Sequence, residues 1–260
     1  MKISPTVVSV RNTEIGGEQP CICAPVVGKD VDEILQQTKD ICRKKPDLIE
    51  WRADFFNHIH DQEKVLDAVQ KMRNIVGEIP VLFTIRSEKE GGEPISVTDS
   101  EKVDLLKRIC QSQWVDLIDY ELRDEENISI VRNISKQNGV RMILSYHHFH
   151  STPAKEVLIE KMQKAEAYGA DMAKVAVMPT TLKDVLLLLE ATEEARSLVK
   201  IPLITMSMGG WGAITRLAGW MFGSAVTFAV GQQSSAPGQM PIEEVKNILP
   251  IIRKYTGCKH

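Results

Sequence analysis

At 260 residues, 43% hydrophobic and 26% charged, the chain has the make-up of a globular protein with one large core or two smaller ones. A net charge of −3 leaves no electrostatic footprint for nucleic acid or an anionic membrane surface, and no stretch reaches the roughly 18 apolar residues that span a bilayer. A small molecule is the expected partner. The N-terminal residues lack an apolar core with a small-residue cleavage site, so a cytoplasmic location is expected. The cysteines, Cys21, Cys23, Cys42, Cys110 and Cys258, are odd in number and have no zinc-finger spacing, so they read as reduced thiols.

Residues 6–15 alternate and end at Gly16-Gly17, which suggests a hairpin or extended strand ahead of the main fold. Eight short apolar or β-branched runs follow, at 22–27, 48–53, 80–85, 115–122, 141–146, 172–177, 201–206 and 225–230. Each gap between them is long enough for a helix, the pattern of repeated βα units on a parallel sheet. Helix starts fall in those gaps. Asp30 with Glu33 and Thr98 with Glu101 have capping-box spacing, and Thr152-Pro153 places a cap before a first-turn proline. Over 181–199 the apolar stripe is Leu182, Val185, Leu186 and Leu189. No linker divides the chain, so residues 1–260 are expected to form one catalytic domain. Eight units favour a closed (β/α)8 TIM barrel, its bottom closed by the N-terminal hairpin. An open doubly wound sheet is the alternative, but no G-x-G-x-x-G follows the first run.

In such a barrel the chemistry sits where the strands end. Glu50, Arg52 and Asp54 close the second run, with Glu50 and Arg52 on one face. Arg86, Glu88 and Glu90 follow the third, and His147, His148 and His150 the fifth. Lys174 lies inside the sixth, an otherwise apolar run where an unpaired lysine is unexpected. Burial there would disfavour the ammonium and produce the neutral amine that attacks carbonyls. The bland alternative is a buried ion pair with Glu50 or Asp119. The histidines admit a metal site with Glu50 and Glu90 as further ligands, or one inward His147 acting as acid and base. Arg52, Arg86 and Arg216 suit an anionic or polyhydroxylated substrate, or ion pairs with neighbouring glutamates. Residues 232–239, rich in Ser and Gly, read as a lid.

Several longer motifs then agree in order. Glu50-Trp51-Arg52, Phe83-Thr84-Ile85-Arg86-Ser87-x-x-Glu90-Gly91-Gly92, Ser145-Tyr146-His147-x-Phe149-x-x-Thr152-Pro153, Lys174-Val175-Ala176-Val177-Met178-Pro179, Ile204-Thr205-Met206-Ser207-Met208-Gly209, Arg216-Leu217-Ala218-Gly219 and Ser235-Ala236-Pro237-Gly238-Gln239 together resemble the type I 3-dehydroquinate dehydratases. The resemblance runs from about Cys21 to Gln239. It implies a homodimeric barrel that dehydrates 3-dehydroquinate to 3-dehydroshikimate without metal or cofactor. It also implies that Lys174 forms an imine, His147 is the general acid and base, and Glu90 tunes it. Glu50, Arg52 and Arg86 would hold ring hydroxyls; Arg216, Ser235 and Gln239 would hold the carboxylate side; Met206 and Phe228 would form an apolar wall. His148 departs from the Asp or Asn of many relatives, and Trp211 is unusual in its loop. The rival expectations are another lysine-imine barrel of the aldolase kind and a catalytically silent barrel that binds a pathway acid.

Overall fold

The computed structural model describes residues 6–256. A hairpin of β1 (Val8–Val10) and β2 (Thr13–Ile15) precedes eight parallel strands: β3 (Cys21–Val26), β4 (Leu48–Arg52), β5 (Val81–Thr84), β6 (Leu117–Glu121), β7 (Arg141–His148), β8 (Met172–Val177), β9 (Leu203–Ser207) and β10 (Val226–Phe228). Helices α1 (Val31–Arg43), α2 (Gln62–Val76), α3 (Asp99–Ser112), α4 (Glu125–Gln137), α5 (Lys155–Ala167), α6 (Leu182–Ala195), α7 (Ala213–Phe222) and α8 (Ile242–Thr256) follow the strands in turn. Strands pair in chain order from β3 to β9, β10 pairs with β3, and a bridge between Leu203 and Ser224 closes the ring. The architecture is the (β/α)8 barrel expected from the eight runs.

Inside the ring, side chains stack in layers drawn from alternate strands. Leu48, Leu117, Met172 and Val226 form the lowest layer, Cys23, Leu82, Ile143 and Ile204 the next, and Val8, Val10 and Ile15 of the hairpin cluster with them. The hairpin therefore plugs the lower mouth. Each fully buried aliphatic side chain here contributes about 1.5–3 kcal/mol relative to exposure. Register is locked at the strand entrances by a recurring device. Asp47, Asp116 and Asp171 each donate their backbone N–H to, and accept through the side chain from, one residue of the preceding strand: Ile22, Val81 and Met142. The second side chain after each aspartate is outward and the third is inward, which brings Glu50, Asp119 and Lys174 to the same height.

The caps came out unevenly. Thr98 and Glu101 form a full capping box, and Asp30 caps α1 by accepting from Glu33 N, while Glu33 reaches Lys29 N. The Thr152-Pro153 cap is a correction. Helix α5 starts later, after Ala154, and the Thr152 hydroxyl donates to Met178 O instead. The α6 stripe is also corrected: Val185 and Leu189 are buried, but Leu182 and Leu186 are 62% and 65% exposed, and Leu188 takes the inward place with Thr192 and Ala195. Residues Leu186 to Leu189 are all leucine, so hydrophobicity alone could not fix which of them face the strands. Cys21, Cys23, Cys42 and Cys110 are unpaired, and Cys258 lies outside the described residues. Among the described residues, no helix is long and apolar enough to cross a membrane.

Candidate active site

Above the two apolar layers, the next one is polar. Glu50, Asp119, Lys174 and Phe228, from β4, β6, β8 and β10, occupy positions where barrels usually place branched aliphatics. The Lys174 ammonium nitrogen lies 3.0 Å from Asp119 Oδ2, 3.8 Å from Glu50 Oε1 and 4.5 Å from the centre of the Phe228 ring. The lysine is only 5% exposed. Burial without a partner is not what is found: the ion-pair alternative holds, and the lysine still faces the cavity.

Asp119 is the hub of this layer. Arg86 Nη2 lies 2.7 Å from its Oδ1, and Ser145 Oγ donates to the same oxygen at 2.6 Å. Burial pushes the Asp119 carboxyl up, but Arg86 and Lys174 together pull it well below the usual carboxylate range, so it stays an anion. Arg86 is itself turned toward protein groups. It contacts Asp119, Glu121 at 3.2 Å and Ser145 Oγ at 2.8 Å, although its side chain lines the cavity. Three carboxylates surround it, so its fork serves the site's charge balance first.

Above this layer His147 projects inward from β7, and its Nδ1 lies 2.9 Å from Glu90 Oε2. The same oxygen accepts from the His147 backbone N–H at 3.1 Å. Glu90 sits at the tip of a tight loop after β5 in which Glu90 N and Gly92 N both donate to Ser87 O. Two glycines make the loop possible. A Cβ on Gly92 would stand 2.0 Å from Arg86 O, and one on Gly91 would stand 2.2 Å from the Phe149 ring, which stacks beside His147. Ser87 in turn donates N–H and O–H to Glu121, which ties the loop to β6. Burial pushes the Glu90 carboxyl up to about 8, and burial pushes the His147 imidazolium down, so both favour their neutral forms.

The rim is built by Arg52, Arg216 and residues 232–239. Arg216, on α7, donates to Phe228 O at 3.3 Å and Pro237 O at 3.1 Å, and its Nε has no hydrogen-bond partner. No carboxylate of the described residues forms an ion pair with it, and burial lowers its pKa to about 10. A buried cation without an anion is costly unless a ligand supplies the charge. Ser235 and Gln239 hydrogen-bond each other, with Ser235 N donating to Gln239 Oε1 at 3.0 Å and Gln239 Nε2 to Ser235 Oγ at 3.1 Å. Arg52 Nη1 donates to Ser235 O at 3.3 Å, and Gly209 N to Pro237 O at 3.2 Å. These bonds draw the 232–239 segment over the mouth.

All eleven candidates, Lys174, His147, Glu90, Glu50, Arg52, Arg86, Arg216, Ser235, Gln239, Met206 and Phe228, line one cavity at the C-terminal ends of the strands. Among the described residues no group of three or more His, Cys, Asp or Glu could hold a metal ion. His148 is turned away, its ring bonded to Ser151, and His150 stands edge-on to it at 6.2 Å. Asp119, expected only as an ion-pair partner of Lys174, and Asp54, expected only to close the second run, prove central to the site's charges. The signal for Asp119 was present: Asp47-x-x-Glu50, Asp116-x-x-Asp119 and Asp171-x-x-Lys174 repeat one spacing on alternate strands.

Known proteins resemble the chain along nearly its whole length. The family model described as type I 3-dehydroquinase matches residues 22–256. A 3-dehydroquinate dehydratase of Geobacillus sp. (strain WCH70) is 62% identical over 255 residues, covering 98% of each chain. The crystal structure of the 3-dehydroquinate dehydratase of Geobacillus kaustophilus superposes with a TM-score of 0.96 at 58% identity, covering 98% of this chain and 100% of that one. A type I 3-dehydroquinate dehydratase of Clostridium difficile, solved with covalently modified comenic acid, gives 0.93 at 40% identity, covering 96% and 99%. With the barrel, the buried lysine and the matches in agreement, the chain belongs to the type I 3-dehydroquinase family.

Proposed function

We propose that this protein dehydrates 3-dehydroquinate to 3-dehydroshikimate through an imine on Lys174, with His147 as the acid and base. The observation that carries the reading is Lys174 itself, a buried lysine that faces the cavity within 4 Å of two carboxylates and beside His147 in the same cavity wall. The covalently modified comenic acid in the Clostridium difficile relative is in keeping with covalent chemistry at such a site.

Lys174 gives up one proton to His147, and its nitrogen attacks the ring ketone. The carbinolamine hydroxyl leaves as water with that proton from His147, and the iminium that forms stays cationic beside Asp119. That cation withdraws electrons from the adjacent C–H bond, and His147 Nε2 takes the proton to leave an enamine. The enamine expels the β-hydroxyl, which leaves as water with the proton from His147. Water then hydrolyses the conjugated iminium, releases product and restores Lys174. Asp119 is an anionic partner for both the ammonium and the iminium, so its charge is useful at both ends of the cycle. Met206 and Phe228 supply the apolar wall, and Arg216, with Ser235 and Gln239 beside it, receives the carboxylate while Glu50 and Arg52 meet hydroxyls. Arg86 keeps the anions in balance.

An imine route exchanges the ketone oxygen with solvent, whereas direct enolisation does not. Turnover in ¹⁸O-water should therefore give product labelled at the ketone faster than free product exchanges, measured by mass spectrometry. Unlabelled product would contradict the imine.

The Glu90–His147 pair sets a pH limb. While Glu90 keeps its proton it donates to Nδ1, which leaves the ring proton on Nε2, where no base is available. Ionised Glu90 accepts from Nδ1–H and frees Nε2. Because the active form is the deprotonated one, kcat/KM should rise with pH through about 8. Glu90→Gln should remove that limb, and a limb unchanged in the variant would break the assignment.

We further propose that the chain, one catalytic domain over residues 1–260, works in the cytoplasm as a homodimer. The outer face of α7 supports the dimer. Ile214 and Met221 are exposed there, Trp211 stands at the helix entrance, and the misplaced Leu182 and Leu186 of α6 lie on the neighbouring helix. Several large exposed apolar side chains on two neighbouring helices favour an interaction site there. Ile214→Asp should shift the sedimentation coefficient toward that of a monomer; a wild type that sediments as a monomer would contradict the proposal.

A further inference from the structure

One carboxylate at the rim has no part in the scheme above, although it is the most completely bonded side chain there. Asp54 lies in a single 3-10 turn, Ala53–Phe55, directly after β4, and its side chain has no exposure. Arg52 Nε donates to its Oδ1 at 2.8 Å and Arg52 Nη2 to its Oδ2 at 2.7 Å. Arg86 N donates to Oδ1 and Glu93 N to Oδ2, both at 3.2 Å. Each oxygen therefore accepts two N–H bonds, the full capacity of an ionised carboxylate.

We infer that Asp54 is a positioning residue for substrate binding: it fixes the fork of Arg52 so that Nη1 alone is aimed at the rim, where it already reaches Ser235 O. The inference rests on Arg52 being a substrate contact. A free arginine has long rotors to immobilise when a ligand arrives. A guanidinium clamped along its Nε–Nη2 edge has lost that freedom beforehand, and its plane is set before substrate enters. The Phe55 ring, 5.0 Å from the guanidinium carbon, closes one face of that plane. Burial alone would lower the Arg52 pKa, and the Asp54 bonds more than restore it, so the cation persists in a dry site. The bonds to Arg86 N and Glu93 N grip both ends of the loop that carries Glu90. The same carboxylate therefore joins the hydroxyl-binding arginine to the segment that orients His147.

Asparagine is the informative replacement, because it keeps the shape and turns one acceptor into a donor. Its NH2 would confront two N–H groups, and one edge of the Arg52 fork would go unheld. Steady-state kinetics with 3-dehydroquinate on wild type, Asp54→Asn, Arg52→Ala and the double variant read this directly, with urea unfolding alongside. Losing one charge-assisted hydrogen bond corresponds to about a ten- to hundredfold change, and the rise is expected in KM. If Asp54 acts through Arg52, the double variant has the KM of Arg52→Ala alone. Penalties that multiply in the double variant would overturn the inference, and so would a lower urea midpoint with KM untouched. An unchanged KM in Arg52→Ala would instead remove Arg52 from the substrate site, a separate failure. Should Asp54→Asn not fold, Arg52→Lys keeps the charge but has no fork for Asp54 to hold. Its KM should approach that of Arg52→Ala, and a wild-type KM there would also overturn the inference.

Discussion

Lys174→Ala should lose turnover by a factor on the order of 10⁴ to 10⁶, the scale seen when a covalent nucleophile is removed. The chemistry explains the size. Without the iminium, the bond to be broken is an ordinary C–H beside a ketone, and no other nucleophilic amine among the described residues lines the cavity. Folding should survive. Removing one partner of a buried ion pair costs about 3–5 kcal/mol when the other charge is stranded. Asp119 is not stranded, because Arg86 remains 2.7 Å away and Ser145 still donates to it. The variant should therefore bind substrate through the rim and fail only in chemistry. A thermal-shift measurement with ligand beside a dehydration assay separates the two, and near-normal rates would end the imine account.

Arg216→Ala should act on binding instead. Truncating one partner of a buried charge pair costs about 2–5 kcal/mol, so KM should rise by roughly 30-fold to several thousandfold. The free protein should be little affected, because Arg216 has no anion in the structure and one of its nitrogens is unpartnered. Product should raise the melting temperature of the wild type and leave that of Arg216→Ala nearly unmoved. A variant whose free form unfolds early, with KM unchanged, would make Arg216 a structural residue.

Much of this was legible in the sequence, for physical reasons. Parallel strands buried on both faces read as apolar runs, so the eight runs and the barrel followed from the order and spacing of apolar residues. Polar residues that close such runs must lie at the strand ends, which is why the cavity contains every candidate. Lys174 stood out because a lysine in that setting needs a reason. What escaped depended on geometry between distant segments. The pairing of Lys174 with Asp119 spans 55 positions, and no local pattern favours it over the equally plausible Glu50. Asp54 lies past the end of β4, and only the folded chain brings Arg86 N and Glu93 N onto its carboxylate. Helix α5 starts beyond Thr152-Pro153 because the hydroxyl of Thr152 has a better partner in Met178 O. The four leucines of α6 hid its buried face, since any of them could serve. Arg86 lines the cavity, and its contacts with Asp119, Glu121 and Glu90 join segments whose charge balance cannot be read from one strand alone.

The most direct test of the account is borohydride reduction during turnover of 3-dehydroquinate, followed by intact mass and peptide mapping. The account predicts a ligand adduct on the peptide that carries Lys174, absent from Lys174→Ala. Continued turnover with no adduct on any peptide would contradict it.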